Sequence, residues 1–140
     1  MSQDVNVRWA WLKVMYIYTI IGAGAFGLGI LLAPDFMQST LGLPAQDRII
    51  SFGVTGSVYL SFALLSILGL RSPLRYAPLL LLQLCYKAVW FIAVIVPTVL
   101  AGTFPGYAAF PAAIYATYII GDLIAIPFSY LFAGEARQWT

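Results

Sequence analysis

Two charged residues, Lys87 and Asp122, stand deep inside long apolar runs of a chain that carries only seven Lys and Arg and five Asp and Glu in 140 residues. An isolated charge at that depth in a bilayer costs between about 2.5 and more than 10 kcal/mol, so the presence of both argues for pairing. Lys87 lies eleven residues beyond Tyr76, and Asp122 lies eleven residues before Ala133. At 1.5 Å per residue both come to about 16 Å from the same side, and an ion pair is expected, direct or through one water. Gln83, Tyr86, Lys87 and Trp90 share one face of a helix at i, i+3, i+4 and i+7, as do Tyr115, Tyr118 and Asp122 at i, i+3 and i+7. Buried Tyr and Gln need hydrogen-bond partners, so these faces are expected to converge, with Tyr59 and Ser61 of an earlier segment able to join them. Such a centre can fix helix register, hold a small molecule, or move a proton.

The remaining composition narrows the chemistry. There is no histidine and one cysteine, Cys85, which leaves zinc, haem and CxxC redox motifs without ligands; no metal, cofactor or catalytic residue is assigned. Cys85 sits in an apolar run and reads as a small buried hydrophobe. A formal charge of +2, with scattered cations, lacks the clustered Lys and Arg of a nucleic-acid surface.

Positioning the centre falls to helices in lipid. The chain is 62% hydrophobic and 9% charged, against roughly 45 to 50% and about 25% in soluble domains. Apolar runs at about 9–33, 49–70, 76–100 and 107–133 each reach the roughly 20 residues that a membrane-crossing helix needs. The connections hold turn residues: Pro34, Gly42 and Pro44, then Arg71, Ser72 and Pro73, then Gly102, Pro105 and Gly106. The expected fold is all-α, a single transmembrane domain over 1–140: a four-helix bundle with antiparallel up-down topology. Runs such as Pro78 to Leu84 do not alternate as barrel strands would. The first run is too long for a signal-peptide core and reads as an uncleaved helix.

Cations set the orientation. Arg8, Lys13, Arg71, Arg75 and Arg137 fall on one side and Arg48 on the other, which places both termini in the cytoplasm. Trp9, Trp11 and Trp139 then belong to an inner aromatic belt, with Phe104, Tyr107 and Phe110 as outer anchors. Residues 34–48 form an outer segment, either a short interfacial helix with Pro34 in its first turn and Asp35 near its N-terminus or an irregular loop. Gly22, Gly24, Gly27 and Gly29 in the first span, and Gly53, Gly56 and Ser57 in the second, are expected at helix contacts. They are not a dinucleotide fingerprint, which needs a strand and a soluble βαβ unit. Pro97 and Pro127 are expected to kink the third and fourth helices.

The order of elements resembles the DoxX-like superfamily of small four-helix bacterial membrane proteins: a glycine-rich first span, then LLAPDFMQSTLGLP, then RIISFGVTGSVYLSFALLSILGLRSP. The resemblance covers about the first half of the chain. It implies a multi-pass protein of the bacterial inner membrane, and some members of that group look like accessory subunits of membrane redox enzymes. The leading expectation is a non-catalytic accessory subunit or binder of a hydrophobic molecule, in contact with membrane lipid and either a small apolar ligand or a larger membrane complex. An enzyme acting on a lipid or quinone would instead use Asp122 or Lys87 for acid/base work and Tyr115 or Tyr118 as proton donors. A small proton-coupled transporter is the third possibility.

Overall fold

A computed structural model of the chain describes residues 6–44 and 50–133, and contains no strand among them. Arg48, Ile49, Arg137 and Trp139, used above for the cation count, a span boundary and the aromatic belt, lie outside the described residues. The helices are α1 (Trp9–Leu32), α2 (Pro34–Thr40), α3 (Ser51–Arg71), α4 (Ala77–Trp90), α5 (Val96–Leu100), α6 (Ala109–Ala125) and α7 (Phe128–Phe132). Four stretches, Trp9–Leu32, Ser51–Arg71, Ala77–Leu100 and Gly106–Ala125, are long and apolar enough to cross a membrane. That makes the chain a multi-pass helical membrane protein.

Prolines shape the two later spans. A π-helical turn, Phe91–Ile95, joins α4 to α5. It lies just before Pro97, whose ring lacks an N–H and crowds the carbonyl of Ala93, and a widened turn is one way a helix absorbs that conflict. Pro127 has the larger effect. Ile126 turns extended at φ −68° and ψ 125°, as the residue before a proline prefers, so α6 stops at Ala125 and α7 begins anew. The fourth span is thus shorter than the single run expected over 107–133. The segment after α1 is helical: Pro34 occupies the first turn of α2 with Asp35 beside it. Gly42 closes α2 at φ +66°, with Leu43 N donating to Gln38 O and Gly42 N to Ser39 O. Glycine adopts this left-handed cap without cost.

Small residues do seat α1 on α3. A Cβ on Gly27 would fall 2.6 Å from the backbone N of Leu60 and 2.9 Å from the carbonyl O of Gly56. The two backbones therefore touch, and only glycine fits. Gly24 faces Ala63, and Gly69 makes room for the ring of Tyr16, whose hydroxyl donates to Pro73 O at 2.7 Å. Gly29 accommodates Met37 of α2. Gly53 does not follow the expectation: nothing lies within 4 Å of its Cβ position. Gly53 and Ser57 line a shallow outer groove with Leu31 and Leu82.

Two further expectations fail for one reason. Cys85 is exposed rather than buried, and Ser61 is exposed and donates to Ser57 O at 2.8 Å on its own helix. Each lies two residues from the inward face, Cys85 from Gln83 and Lys87, Ser61 from Tyr59. Two residues turn about 200° around a helix, which aims both side chains outward. An apolar run in a membrane span is as often lipid-facing as buried.

Candidate functional site

At the end of the bundle where Arg8 reaches Ile124 O at 3.2 Å, the interior is filled. Leu12, Met15 and Tyr16 of α1 pack with Leu80 and Leu84 of α4 and with Ala125 and Ile126. One turn further in lies a buried polar knot. Gln83 Nε2 donates to Asp122 Oδ2 at 3.2 Å and Oδ1 at 3.5 Å. Thr19 stands 3.3 Å from Gln83, and its hydroxyl also reaches Met15 O at 2.8 Å. All three residues are at 0% exposure. Buried acceptors and donors of this kind persist only when paired, and this knot joins α1, α4 and α6.

Lys87 lies in the next layer, 2% exposed. Its Nζ donates to Tyr86 Oη at 2.7 Å and stands 4.3 Å from the ring centroid of Tyr118, 4.4 Å from that of Tyr86 and 5.0 Å from that of Tyr115. Three ring faces and a phenol oxygen thus hold the ammonium, an arrangement favoured by the negative face of each ring. Tyr118 stacks on Tyr18 of α1, with centroids 4.2 Å apart, and its hydroxyl donates to Tyr18 O at 3.1 Å. Tyr115 hydrogen-bonds Tyr59 of α3 and meets Trp90 edge-on at 5.0 Å.

The direct Lys87–Asp122 ion pair expected from depth is therefore corrected. Among the described residues no carboxylate oxygen forms a salt bridge with Lys87: its Nζ bonds Tyr86, and the carboxylate of Asp122 is met by Gln83. The depth count for Asp122 ran from Ala133, but the helix breaks at Pro127, so the register of α6 shifts. Gln83 comes to face Asp122, and Lys87 comes to face Tyr118. The rest of the expected cluster does assemble: Gln83, Tyr86, Lys87, Trp90, Tyr115, Tyr118, Asp122 and Tyr59 occupy two adjoining layers, while Ser61 is absent from both. Thr19 and Tyr18 of α1 belong to the site without being singled out by spacing in α4 or α6. Their signal is that Thr19 follows Tyr16 and Tyr18 at a depth matching Gln83, in a span with few other polar side chains.

Beyond Lys87 the bundle opens into a cavity of 400 Å³, walled by α1, α3, α4 and α6 and reaching Leu41 and Leu43 past the end of α2. Ten of its twenty lining residues are aromatic, and Lys87 is the one charged residue among them. Tyr107 and Phe110, expected only as surface anchors, line it too. From α1 it is bordered by Tyr18, Gly22, Ala23, Phe26 and Ile30, and Gly22 makes room for the Tyr118 hydroxyl. The volume lies within the roughly 300–1,000 Å³ of small-molecule pockets, and the composition matches them: apolar and aromatic walls with a few placed polar groups. Among the described residues no three His, Cys, Asp or Glu side chains gather to hold a metal ion. No family model, curated protein or solved structure matches the chain.

Proposed function

We propose that this chain is a membrane-embedded binder of a hydrophobic small molecule, acting without catalysis of its own, alone or as an accessory subunit of a larger membrane complex. The observation that carries the reading is the 400 Å³ aromatic-walled cavity with Lys87 at its floor. A filled core would have served stability better, because unfilled volume in a bundle costs packing energy. Lipid chains or a dedicated ligand recover that loss. The reading includes an up-and-down bundle in a bacterial inner membrane with both termini cytoplasmic. Tyr16 beside Gly69, Gly24 beside Ala63 and Gly27 beside Leu60 support the opposed run of α1 and α3. Arg8, Lys13, Arg71 and Arg75 support the orientation. A DoxX-like affiliation belongs to the same proposal and rests on the order of elements in the first half of the chain.

Mass spectrometry of the protein released intact from native membranes tests the binding reading. A discrete bound mass is expected on the native chain and not on Ala23→Phe, which places a ring in the cavity. An identical set of bound lipids on both would reject it. Reporter fusions at Thr140 and after Arg71 should both read cytoplasmic; a periplasmic signal from either would reject the orientation.

An enzymatic reading is less well supported. Lys87, Tyr115 and Tyr118 line the cavity, but Asp122, the other acid/base candidate, is absent from the lining and is held by Gln83.

A further inference from the structure

We infer that the molecule held in this cavity is an organic monoanion, with a carboxylate or chemically equivalent head at Lys87 and an apolar body running along the aromatic walls toward Leu41 and Leu43. This rests on the binding reading above and names the ligand's chemistry.

The unsatisfied charge of Lys87 carries the inference. An ammonium has three donors and accepts nothing. One donor is spent on Tyr86, and among the described residues no acceptor takes the other two. No carboxylate shares the cavity with it, because Asp122 lies in the layer behind and is engaged by Gln83. A 2% exposed cation held by a phenol and three rings has been desolvated without a counter-ion in contact, an arrangement that favours an anion arriving from the open side. That side is the cavity. A carboxylate there gains charge-assisted hydrogen bonds from the free donors, which are roughly twice as strong as neutral ones.

The same geometry argues against the alternatives. Aromatic walls attract cations, but the faces of Tyr86, Tyr115 and Tyr118 already carry Lys87, and a second cation would meet like charge. A fully neutral ligand without an acceptor would fit the walls yet leave two donors of the ammonium unpaired. A dianionic head such as a phosphate monoester would bury a second charge with no second cation in the lining. One negative charge and an apolar remainder match what the lining offers.

The test uses Trp90, which lines the cavity, as the one fluorophore of its kind after Trp9→Phe, Trp11→Phe and Trp139→Phe. The protein in lipid nanodiscs is titrated with a mid-chain dibrominated dodecanoate and, separately, with the methyl ester of the same chain. Saturable quenching reports the site, whereas quenching that rises without saturation reports partition into the bilayer. The acid is expected to saturate at a concentration at least tenfold below the ester. Lys87→Gln is expected to bring the two within about threefold while still binding the ester, which also shows that the variant is folded. Equal saturation by acid and ester in the native protein overturns the anionic head and leaves the cavity reading standing. A full acid preference retained in Lys87→Gln overturns the assignment to Lys87. Saturation by neither probe overturns the cavity reading itself. If Lys87→Gln does not fold, the native comparison of acid with ester decides the matter.

Discussion

Toward Arg8, the side chains of Leu12, Met15 and Tyr16 pack with Leu80, Leu84 and Ala125, whereas further along α1 Gly22, Ala23 and Phe26 border a 400 Å³ cavity. The two halves share the same helices and differ in what α1 presents to them. In the closed half large apolar residues interlock, and the polar groups there, Thr19, Gln83 and Asp122, satisfy one another. In the open half Gly22 and Ala23 lie among Tyr18, Phe26 and Ile30 on α1, across the cavity from rings of α3, α4 and α6. Lys87 and Tyr118 form the boundary, so the one cation of the cavity lies where solid packing gives way to open volume. A bundle whose halves diverge in this way spends its polar pairing on holding helices together at one end and keeps an uncommitted cation at the other.

The contrast can be broken most forcefully in the closed half. Leu80→Ala removes a side chain at 0% exposure and should cost about 2–5 kcal/mol in reversible unfolding from detergent, since the surrounding helices collapse only in part. A cost under about 1 kcal/mol would mean that this half is not packed as described. Next in size is the backbone contact between α1 and α3. Gly27→Leu drives a side chain into Leu60 and Gly56 and should cost about 3 kcal/mol by overpacking. Gly53→Leu, on the open groove of the same helix pair, should change stability by no more than about 0.5 kcal/mol. Equal effects from the two glycines would place both at a contact, or neither.

The boundary layer separates two arrangements of charge. With no carboxylate bonded to Lys87, replacing it by Met strands no anion in direct contact, and the change should lie within about 1 kcal/mol of zero. Asp122→Leu, by contrast, leaves the buried amide of Gln83 with Thr19 alone as acceptor and should cost about 1–3 kcal/mol. A loss of about 3–5 kcal/mol from Lys87→Met would restore the direct ion pair.

Much of this arrangement is legible in the sequence, and the misses have physical reasons. Runs of about 20 apolar residues locate the first three spans to within one or two residues, at Trp9, Ser51 and Ala77, because the bilayer fixes the length. Helical spacing collects Gln83, Tyr86, Lys87 and Trp90 on one face, and Tyr115, Tyr118 and Asp122 on another. It cannot say how far one helix slides along the next. That offset depends on where Pro127 ends α6, and it decided that Asp122 faces Gln83 while Lys87 faces three rings. The alternation that turns Cys85 and Ser61 outward is also present in the sequence, two residues from each inward-facing neighbour. Apolar character alone obscures it, because lipid and core accept the same side chains. The cavity is least legible, since an empty volume is a property of which small residues end up opposite which rings. Gly22 is a contact residue, with Tyr118 of α6 standing over it, and nothing in the spacing tells it apart from its neighbour Ala23, which borders the cavity.

The most direct measurement is an experimental density map of the protein prepared from native membranes without exchange of bound lipid. Elongated density is expected in the cavity, with one end within about 3.2 Å of Lys87 Nζ and the remainder passing Trp90 and Phe26 toward Leu41. A cavity filled instead by its own side chains, with the rings of Trp90, Phe26 and Tyr115 collapsed onto Ala23, would contradict a binding function for this bundle.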